Sequence, residues 1–198
     1  MRPMHLLLLP LLLLGSGCAH APLSADELAT YAADPEHGLL RKRTVSGITT
    51  TVRLVPPALA AQRMHLGQGE DMRKQLTVVV NIAPDMESYK GDVMRAGATD
   101  RVELFQQAFD LNFNWEEMIE LRCGSRSYAP VLSTLENTYG LSRDRNVVLV
   151  FVPEHADDRA FYDSPEIELV LTDHVLGTGI QHFRFERKAL LNVPPSNA

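Results

Sequence analysis

The sequence predicts an α+β domain made mainly of antiparallel β-strands, arranged as a single sheet or a sandwich with a few short helices at one edge. Short stretches alternate apolar with polar residues, which is the pattern of strands with one buried face, and prolines or glycines end most of them. Helical spacing is confined to short segments. No linker is long enough to divide residues 24–198 into two domains.

The first predicted helix begins at Ser24 and ends at Asp34. The hydroxyl of Ser24 and the carboxylate of Glu27, three residues later, have the spacing of a capping box. Pro35 ends the helix, because the residue before a proline is pushed out of the helical region of backbone space. A second short helix is predicted at residues 58–66, after a pair of prolines.

The predicted strands are joined by tight turns, which favours antiparallel pairing. One hairpin turns at Ser46-Gly47, a second at residues 123–126 and a third at residues 177–179. The run at residues 147–152 is almost wholly apolar, so it is expected inside a sheet and buried on both faces. A frayed tail is expected from Pro194 onward. The strands are expected at residues 40–45, 48–55, 76–82, 118–122, 127–137, 147–152, 166–172 and 180–187.

One region contains two conflicting periods. Asp100 and Glu103 resemble another helix cap, and apolar residues keep helical spacing as far as Phe109. From Phe109 to Trp115 apolar and polar residues alternate, which predicts a strand there; a helix capped by Asn114 is the alternative. In a strand the aromatic row would face the core. If it were exposed, it would be a platform for stacking or for sugar binding.

The start of the chain has the features of an export signal. Arg2 supplies a positive charge, and the apolar run at residues 6–14 is shorter than the ~20 residues that a membrane-spanning helix needs. Small residues at positions 15–17 precede Cys18, as they do at a peptidase cleavage site. An ordinary secretory signal followed by a chance cysteine is the alternative.

Residues 15–18 (Gly-Ser-Gly-Cys) resemble the lipobox of bacterial lipoproteins, although Gly15 stands where that family usually has leucine. The resemblance implies a lipid on Cys18, with palmitate among its several acyl chains, and stable anchoring to a membrane of the bacterial cell envelope. Ala19 occupies the position at which an aspartate often signals inner-membrane retention. Its presence favours the outer membrane over the inner one.

This interpretation divides the chain into a signal peptide at residues 1–17, a tether at residues 18–23 and a globular domain at residues 24–198. Two stretches of the domain are also similar to bacterial lipoproteins of uncharacterised function. They are residues 34–39 (Asp-Pro-Glu-His-Gly-Leu) and residues 136–141 (Glu-Asn-Thr-Tyr-Gly-Leu). This second resemblance implies no particular activity.

The net charge of the chain disfavours partners that are themselves strongly negative. The formal net charge is −6 at pH 7, so nucleic acid and bare anionic lipid are poor partners for the domain as a whole. The cluster Arg41-Lys42-Arg43 is a local exception. It would meet an anionic lipid headgroup or an acidic partner, or it forms a solvated strand edge whose charge discourages aggregation.

The candidates for chemistry are few, and no cofactor or metal site is predicted. Cys123 has no disulfide partner if Cys18 carries the lipid, and it is expected to be a buried small hydrophobe, with a reactive thiol as the alternative. His174 and His182 flank the last turn and are expected to be outward-facing neighbours beside Asp173. Two histidines and one carboxylate fall short of the ligand set that zinc prefers.

Two groups of acidic residues also lack a recognisable site. One loop lacks the spacing and the glycine of a calcium-binding loop and is expected to be solvated: Glu154, His155, Asp157 and Asp158. The adjacent carboxylates of Glu116 and Glu117 would point to opposite faces of the predicted strand. They would then be unable to converge on a substrate as a glycosidase pair does.

The sequence therefore favours a membrane-anchored envelope lipoprotein that acts as a binding or structural module. Its partner would be another envelope component, whether protein, glycan or lipid, and an exposed sheet edge would be able to take a partner strand. The first alternative is an envelope hydrolase whose site is assembled from scattered residues: Cys123, His155, His174 and His182 with nearby aspartates. The second alternative is an anchored carrier of an apolar ligand.

Overall fold

The computed structural model describes residues 22–63, 74–88, 90–136, 138 and 141–196. In that part of the chain the strands are β1 (Leu40–Val45), β2 (Ile48–Val55), β3 (Leu76–Pro84), β4 (Ile119–Cys123), β5 (Arg126–Tyr128), β6 (Leu132–Leu135), β7 (Arg145–Phe151), β8 (Glu166–Asp173) and β9 (Gly179–Glu186). The α-helices are α1 (Ala25–Ala33), α2 (Pro57–Arg63), α3 (Arg101–Phe113), α4 (Trp115–Met118), α5 (Arg159–Asp163) and α6 (Lys188–Leu191). Single turns of 3-10 helix lie at Pro35–His37 and Val93–Arg95.

The strands form two antiparallel sheets that pack face to face. The first sheet has the order β1-β2-β3-β7-β6, and the second has the order β5-β4-β8-β9. Apolar side chains from the inner faces of both sheets make one buried cluster, in which Val80, Leu149, Leu121 and Phe185 take part. The predicted α+β class with mainly antiparallel strands is confirmed, and the arrangement is the sandwich.

Helices cover the outer face of the first sheet. Leu28 of α1 and Leu59 of α2 pack on Val79 of β3. Strand β3 is therefore buried on both of its faces. The start of α1 is the predicted capping box: the Glu27 carboxylate accepts a hydrogen bond of 2.8 Å from the Ser24 N–H. The sheet is thereby enclosed between the helices on one side and the second sheet on the other.

The first predicted hairpin and the apolar strand are confirmed. Ser46 and Gly47 join β1 to β2 with φ angles of 51° and 76°, which is the two-residue turn that matches strand twist. Strand β7 lies between β3 and β6, and most of its apolar residues are buried.

The strand predicted from Phe109 to Trp115 is wrong, because these residues continue a helix. Leu111 and Trp115 are 3% and 1% exposed, whereas Phe109 and Phe113 are 53% and 65% exposed. Residues four apart lie on the same face of a helix. The alternating row is therefore two pairs on different faces of the helical segment, and only the pair Leu111 and Trp115 enters the core.

The second predicted hairpin is correct only in its first half. Strands β4 and β5 pair around the turn at Gly124 and Ser125. Residues 132–135, predicted to continue the return strand, instead leave the second sheet and pair with β7 at the edge of the first. The chain therefore crosses between the sheets after Tyr128.

The sandwich has two distinct ends. At the turn end, defined by the β1–β2 turn, Leu111, Trp115 and Met118 close the space between Ile82 of the first sheet and Leu171 of the second. The remaining void there is about 10 Å³, the lower limit for a single water molecule.

At the opposite end the chain leaves toward its N-terminus, and we call this the tether end. The Leu23 N–H donates a hydrogen bond of 2.8 Å to the Pro195 carbonyl, and Leu23 forms a parallel bridge with Ser196. The expected fraying of the C-terminal tail is therefore wrong as far as Ser196. A β-strand rises ~3.3 Å per residue, so the eight residues of β2 separate the two ends by roughly 25 Å.

The predicted signal peptide (residues 1–17), Cys18 and Ala19 lie outside the described residues, as does the end of the helix predicted at residues 58–66. None of the described helices is long and apolar enough to cross a membrane.

The helical assignment of residues 109–115 predicts opposite outcomes for neighbouring truncations. Leu111→Ala removes a buried side chain and is expected to lower the free energy of unfolding by about 2–4 kcal/mol. Phe109→Ala removes an exposed side chain and is expected to change it by less than about 0.5 kcal/mol. Urea unfolding followed by circular dichroism measures both values. Equal losses would contradict the helix, because a strand would place both side chains on one face.

Candidate functional site

The first candidate surface is a line of large apolar side chains on α3. We call it the α3 stripe, and its members are Val102, Phe105, Phe109 and Phe113, which are 77%, 72%, 53% and 65% exposed. The rings of Phe109 and Phe113 lie 5.2 Å apart. Single exposed apolar residues are ordinary, but a contiguous line of them marks an interaction surface.

Helix α3 is held firmly, so the exposure of the stripe is fixed by packing. Asp100 caps the helix by accepting a 2.9 Å hydrogen bond from the Glu103 N–H. On the buried face, the Gln107 side-chain amide donates to the Ala96 carbonyl over 3.0 Å. The Trp115 indole N–H donates to the Leu111 carbonyl over 2.6 Å. Of these three contacts, the Gln107 bond ties α3 to a neighbouring segment, and together with the burial of Leu111 and Trp115 it keeps the stripe on the outer side.

Among the charged residues of α3 and α4 carboxylates outnumber cations, of which Arg101 is exposed beside Val102. Glu103 on α3 and the pair Glu116 and Glu117 on α4 are exposed carboxylates, and Asp110 is partly exposed. The pair Glu116 and Glu117 lies on a helix and not on the predicted strand. A partner with basic residues around an apolar contact would complement this surface.

The second candidate surface is a groove between β1 and β9, the terminal strands of the two sheets. We call it the β1–β9 groove. It is open, has a volume of about 530 Å³, and is lined by Arg41, Lys42, Arg43, His182, Phe183 and Arg184. The fold thus adds Arg184 and His182 to the predicted basic cluster.

Arg41 joins the two strands at one end of this groove. Its Nε donates a 3.0 Å hydrogen bond to the Arg184 carbonyl, and its guanidinium lies 5.3 Å from the centre of the Phe185 ring. Its Nη1 donates to the Leu40 carbonyl over 2.8 Å. These contacts occupy the guanidinium of Arg41, so its role in the groove is to close one end.

Arg184 and His182 are also engaged, through Glu168 of β8. The Arg184 Nε donates to the Glu168 carboxylate over 2.7 Å, and the Nδ1 atom of His182 lies 3.2 Å from the same carboxylate. The hydrogen bond from Arg184 is the main cause that holds the pKa of Glu168 below its ordinary value. Lys42 and Arg43 are exposed and, within the described residues, form no ion pair.

Cys123 is buried, as expected. Its side chain is 0% exposed, and the Arg187 guanidinium donates to its sulfur over 3.8 Å. Burial raises the pKa of the Cys123 thiol, against the opposing effect of Arg187. A thiol with a raised pKa at neutral pH is a poor nucleophile.

The four residues proposed for a hydrolase site are not brought together. Cys123 pairs with Ile167 at the start of β8, whereas His174 follows the far end of that strand. His182 lies opposite Val170 and faces outward, so the expected closeness of His174 and His182 is wrong. His155 lines a separate surface hollow beside Arg126 and Asp158.

Two aspartates expected near surface sites have structural roles. Asp173 is 8% exposed and accepts hydrogen bonds from the N–H groups of Val175, Leu176 and Thr178, so it organises the β8–β9 loop. Asp158 is 7% exposed, and the expectation of a solvated loop is therefore wrong for this residue.

Asp158 joins the loop before α5 to the second sheet. Its carboxylate accepts hydrogen bonds from the Tyr128 hydroxyl over 3.0 Å, from Arg126 over 2.9 Å and from the Phe161 N–H over 3.2 Å. Burial raises the pKa of Asp158, but these three hydrogen bonds outweigh it, so the pKa lies below the ordinary value. Burial, reinforced by Asp158, raises the pKa of Tyr128 to about 12.

No group of three or more histidine, cysteine, aspartate or glutamate side chains in the described ranges is arranged to hold a metal ion. The candidate binding surfaces of this part of the chain include the α3 stripe and the β1–β9 groove. The helical spacing of Val102, Phe105 and Phe109 was a usable signal for the stripe. The groove had no such signal, because Arg41 and Arg184 are 143 residues apart in the sequence.

No protein-family model matches this chain, and no curated protein or solved structure matches it significantly.

The lowered pKa of Asp158 predicts a pH-dependent contribution to stability. A carboxylate with a depressed pKa stabilises the fold above its ordinary pKa of about 4, and this contribution is lost as the pH falls through the lowered value. Asp158→Asn is expected to lower the Tm by several degrees at pH 7, and the gap to the wild type should narrow as the pH falls below the ordinary pKa of about 4.

Thermal unfolding followed at a series of pH values measures the effect. Asp157→Asn is the matched control, because Asp157 is exposed in the same loop and should leave the Tm unchanged. A gap that stays constant from neutral to acidic pH would contradict a role for the ionised carboxylate of Asp158.

Proposed function

We propose that this chain is a lipid-anchored protein of the bacterial cell envelope that binds a second envelope protein through the α3 stripe. The observation that carries the binding role is the exposure of four large apolar side chains along one helix. The proposed anchor is a lipid on Cys18, and Ala19 supports an outer-membrane location.

The positions of the two ends support a protein partner. The six residues from Cys18 to Leu23 are joined by five steps and span at most ~18 Å, so the tether end would be held close to the membrane. The α3 stripe lies at the turn end, roughly 25 Å farther along the sandwich. A stripe in that position is directed away from the anchoring membrane, where an envelope protein is a more accessible partner than a lipid.

The apolar side chains of the stripe and the charges near it indicate which surface a partner protein would need. Side chains at positions i, i+3, i+7 and i+11 are the anchors by which an amphipathic helix enters an apolar groove. The exposed carboxylates of Glu103, Glu116 and Glu117 lie on the same helical segment as the stripe, which also carries the exposed cation of Arg101. The complementary partner therefore has an apolar groove with lysine or arginine on its rim.

The core at the turn end leaves no room for an apolar ligand, and the larger hollow of about 710 Å³, lined by residues that include Val55, Leu76 and Leu190, is an open one at the tether end. The space where the α3–α4 segment meets both sheets is only about 10 Å³, whereas small-molecule sites occupy about 300–1,000 Å³.

Photo-crosslinking in intact cells tests the proposed interface. A photoreactive phenylalanine analogue at position 109 is expected to give one discrete protein adduct, and the same analogue at Ile180 is expected to give none. Ile180 is a suitable control because it is 64% exposed at the same end of the sandwich but lies on β9. The crosslinked peptide of the partner, identified by mass spectrometry, should contain apolar and basic residues.

Substitutions in the stripe give the second readout. Phe105→Ser with Phe113→Ser should abolish the adduct and change the free energy of unfolding by less than about 1 kcal/mol, because both side chains are exposed. The matched control, Gln106→Ser with Asn112→Ser, changes polar residues of the same helix and should leave the adduct intact. An adduct with lipid or with a second copy of this chain would contradict the proposed partner.

The proposed lipid anchor on Cys18 is tested separately from the stripe. Cys18→Ser should leave the membrane fraction and lack the mass of the acyl chains, while retaining the folded domain. A wild-type protein without lipid on Cys18 would contradict the anchor but not the stripe, so the two parts of the proposal fail separately.

A further inference from the structure

The β1–β9 groove is a second site, independent of the α3 stripe, and within the described residues the two strand edges beside it pair with no further strand. Strand β1 ends the first sheet and strand β9 ends the second, so each has one neighbour in its sheet. In the two-residue hairpin Val45 and Ile48 form the first hydrogen-bonded pair. Because such pairs alternate, the backbone N–H and C=O groups of Lys42 and Thr44 point away from β2.

The cations of the groove do not converge on one point. Arg41 is engaged with the Arg184 carbonyl, and Arg184 is engaged with Glu168. Lys42 and Arg43 remain, and neighbouring residues of a strand project to opposite faces. A compact phosphate needs donors that meet at a single position, so this arrangement is poorly suited to it.

An extended ligand fits these groups. A peptide strand added to the edge of β1 would pair with the backbone groups of Lys42 and Thr44. Its own side chains would alternate between the two faces, so two adjacent acidic residues would place one carboxylate beside Lys42 and the other beside Arg43. The open volume of about 530 Å³ is lined by residues of both strands, including Lys42 and Arg43, so the β1 edge beside these two cations is accessible to such a strand.

We propose that the β1–β9 groove binds an extended acidic peptide segment, which adds a strand to the free edge of β1 and pairs its adjacent carboxylates with Lys42 and Arg43. The local positive charge contrasts with the formal net charge of −6 for the chain. An acidic segment is therefore repelled by most of the surface and attracted to this groove, which gives the site its selectivity.

Fluorescence anisotropy with the full-length protein in a non-ionic detergent tests the charge requirement. The probe is a labelled peptide of sequence Thr-Val-Asp-Glu-Val-Thr, and its partner probe has Asn-Gln in place of Asp-Glu. Binding of the acidic probe should weaken about 5- to 20-fold in the variant Lys42→Ser with Arg43→Ser. The neutral probe should bind the wild-type protein no more tightly than the acidic probe binds this variant. Added salt should weaken only the acidic probe.

Two control variants separate the groove from general charge and from folding. Lys90→Ser with Arg159→Ser removes the same charge from exposed positions elsewhere and should bind as the wild type does. Thr44→Pro removes the outward N–H of the edge while keeping both cations, and it should also weaken binding. Thr44→Val keeps that N–H and should bind normally, and unchanged thermal melting shows that each variant is folded.

Three outcomes would overturn the proposal. The first is equal affinity for the acidic and the neutral probe. The second is unchanged binding in the variant without Lys42 and Arg43. The third is binding to phosphatidylglycerol vesicles that depends on these two cations while the acidic probe stays unbound, since that would assign the groove to a lipid surface. All three are independent of the crosslinking result for the α3 stripe.

Discussion

The burial of Leu111 and Trp115 between the two sheets is the contact on which the exposure of the α3 stripe depends. These two side chains close the turn end of the sandwich and set the rotation of α3 about its axis. Once they face inward, the geometry of a helix directs Phe109 and Phe113 outward. The exposed stripe is therefore a consequence of core packing, and a helix this well anchored can present it without a large ordering cost on binding.

The same architecture places the tether end, the α3 stripe and the β1–β9 groove at three different positions on the sandwich. The tether end holds the start of the domain through the hydrogen bond from Leu23 to Pro195, and the turn end carries the α3 stripe. The β1–β9 groove runs along the side, where Arg41 links the last strands of the two sheets. An anchored protein built in this way would be able to bind one partner at its far end and a second at its side.

Local patterns in the sequence were sufficient for much of the fold. The cap at Ser24, the turn at Ser46-Gly47 and the alternation in β2, β8 and β9 depend on nearby residues, and they were predicted correctly. The strand prediction for Phe109 to Trp115 failed because alternation over seven residues also arises from two apolar pairs on different faces of a helix. The groove depends on contacts between β1 and β9, and periodicity carries no information about which distant strands meet.

The most direct test of the account measures which end of the sandwich faces the anchoring membrane. Single cysteines at Asn112 on α3 and at the exposed Leu191 on α6 are labelled in the lipidated protein, since the native Cys123 is buried and protected from the reagent. Energy transfer to an acceptor in the bilayer gives the height of each label. We expect the label at Asn112 to lie roughly 25 Å farther from the membrane than the label at Leu191. Equal heights, or a lower position for Asn112, would contradict it.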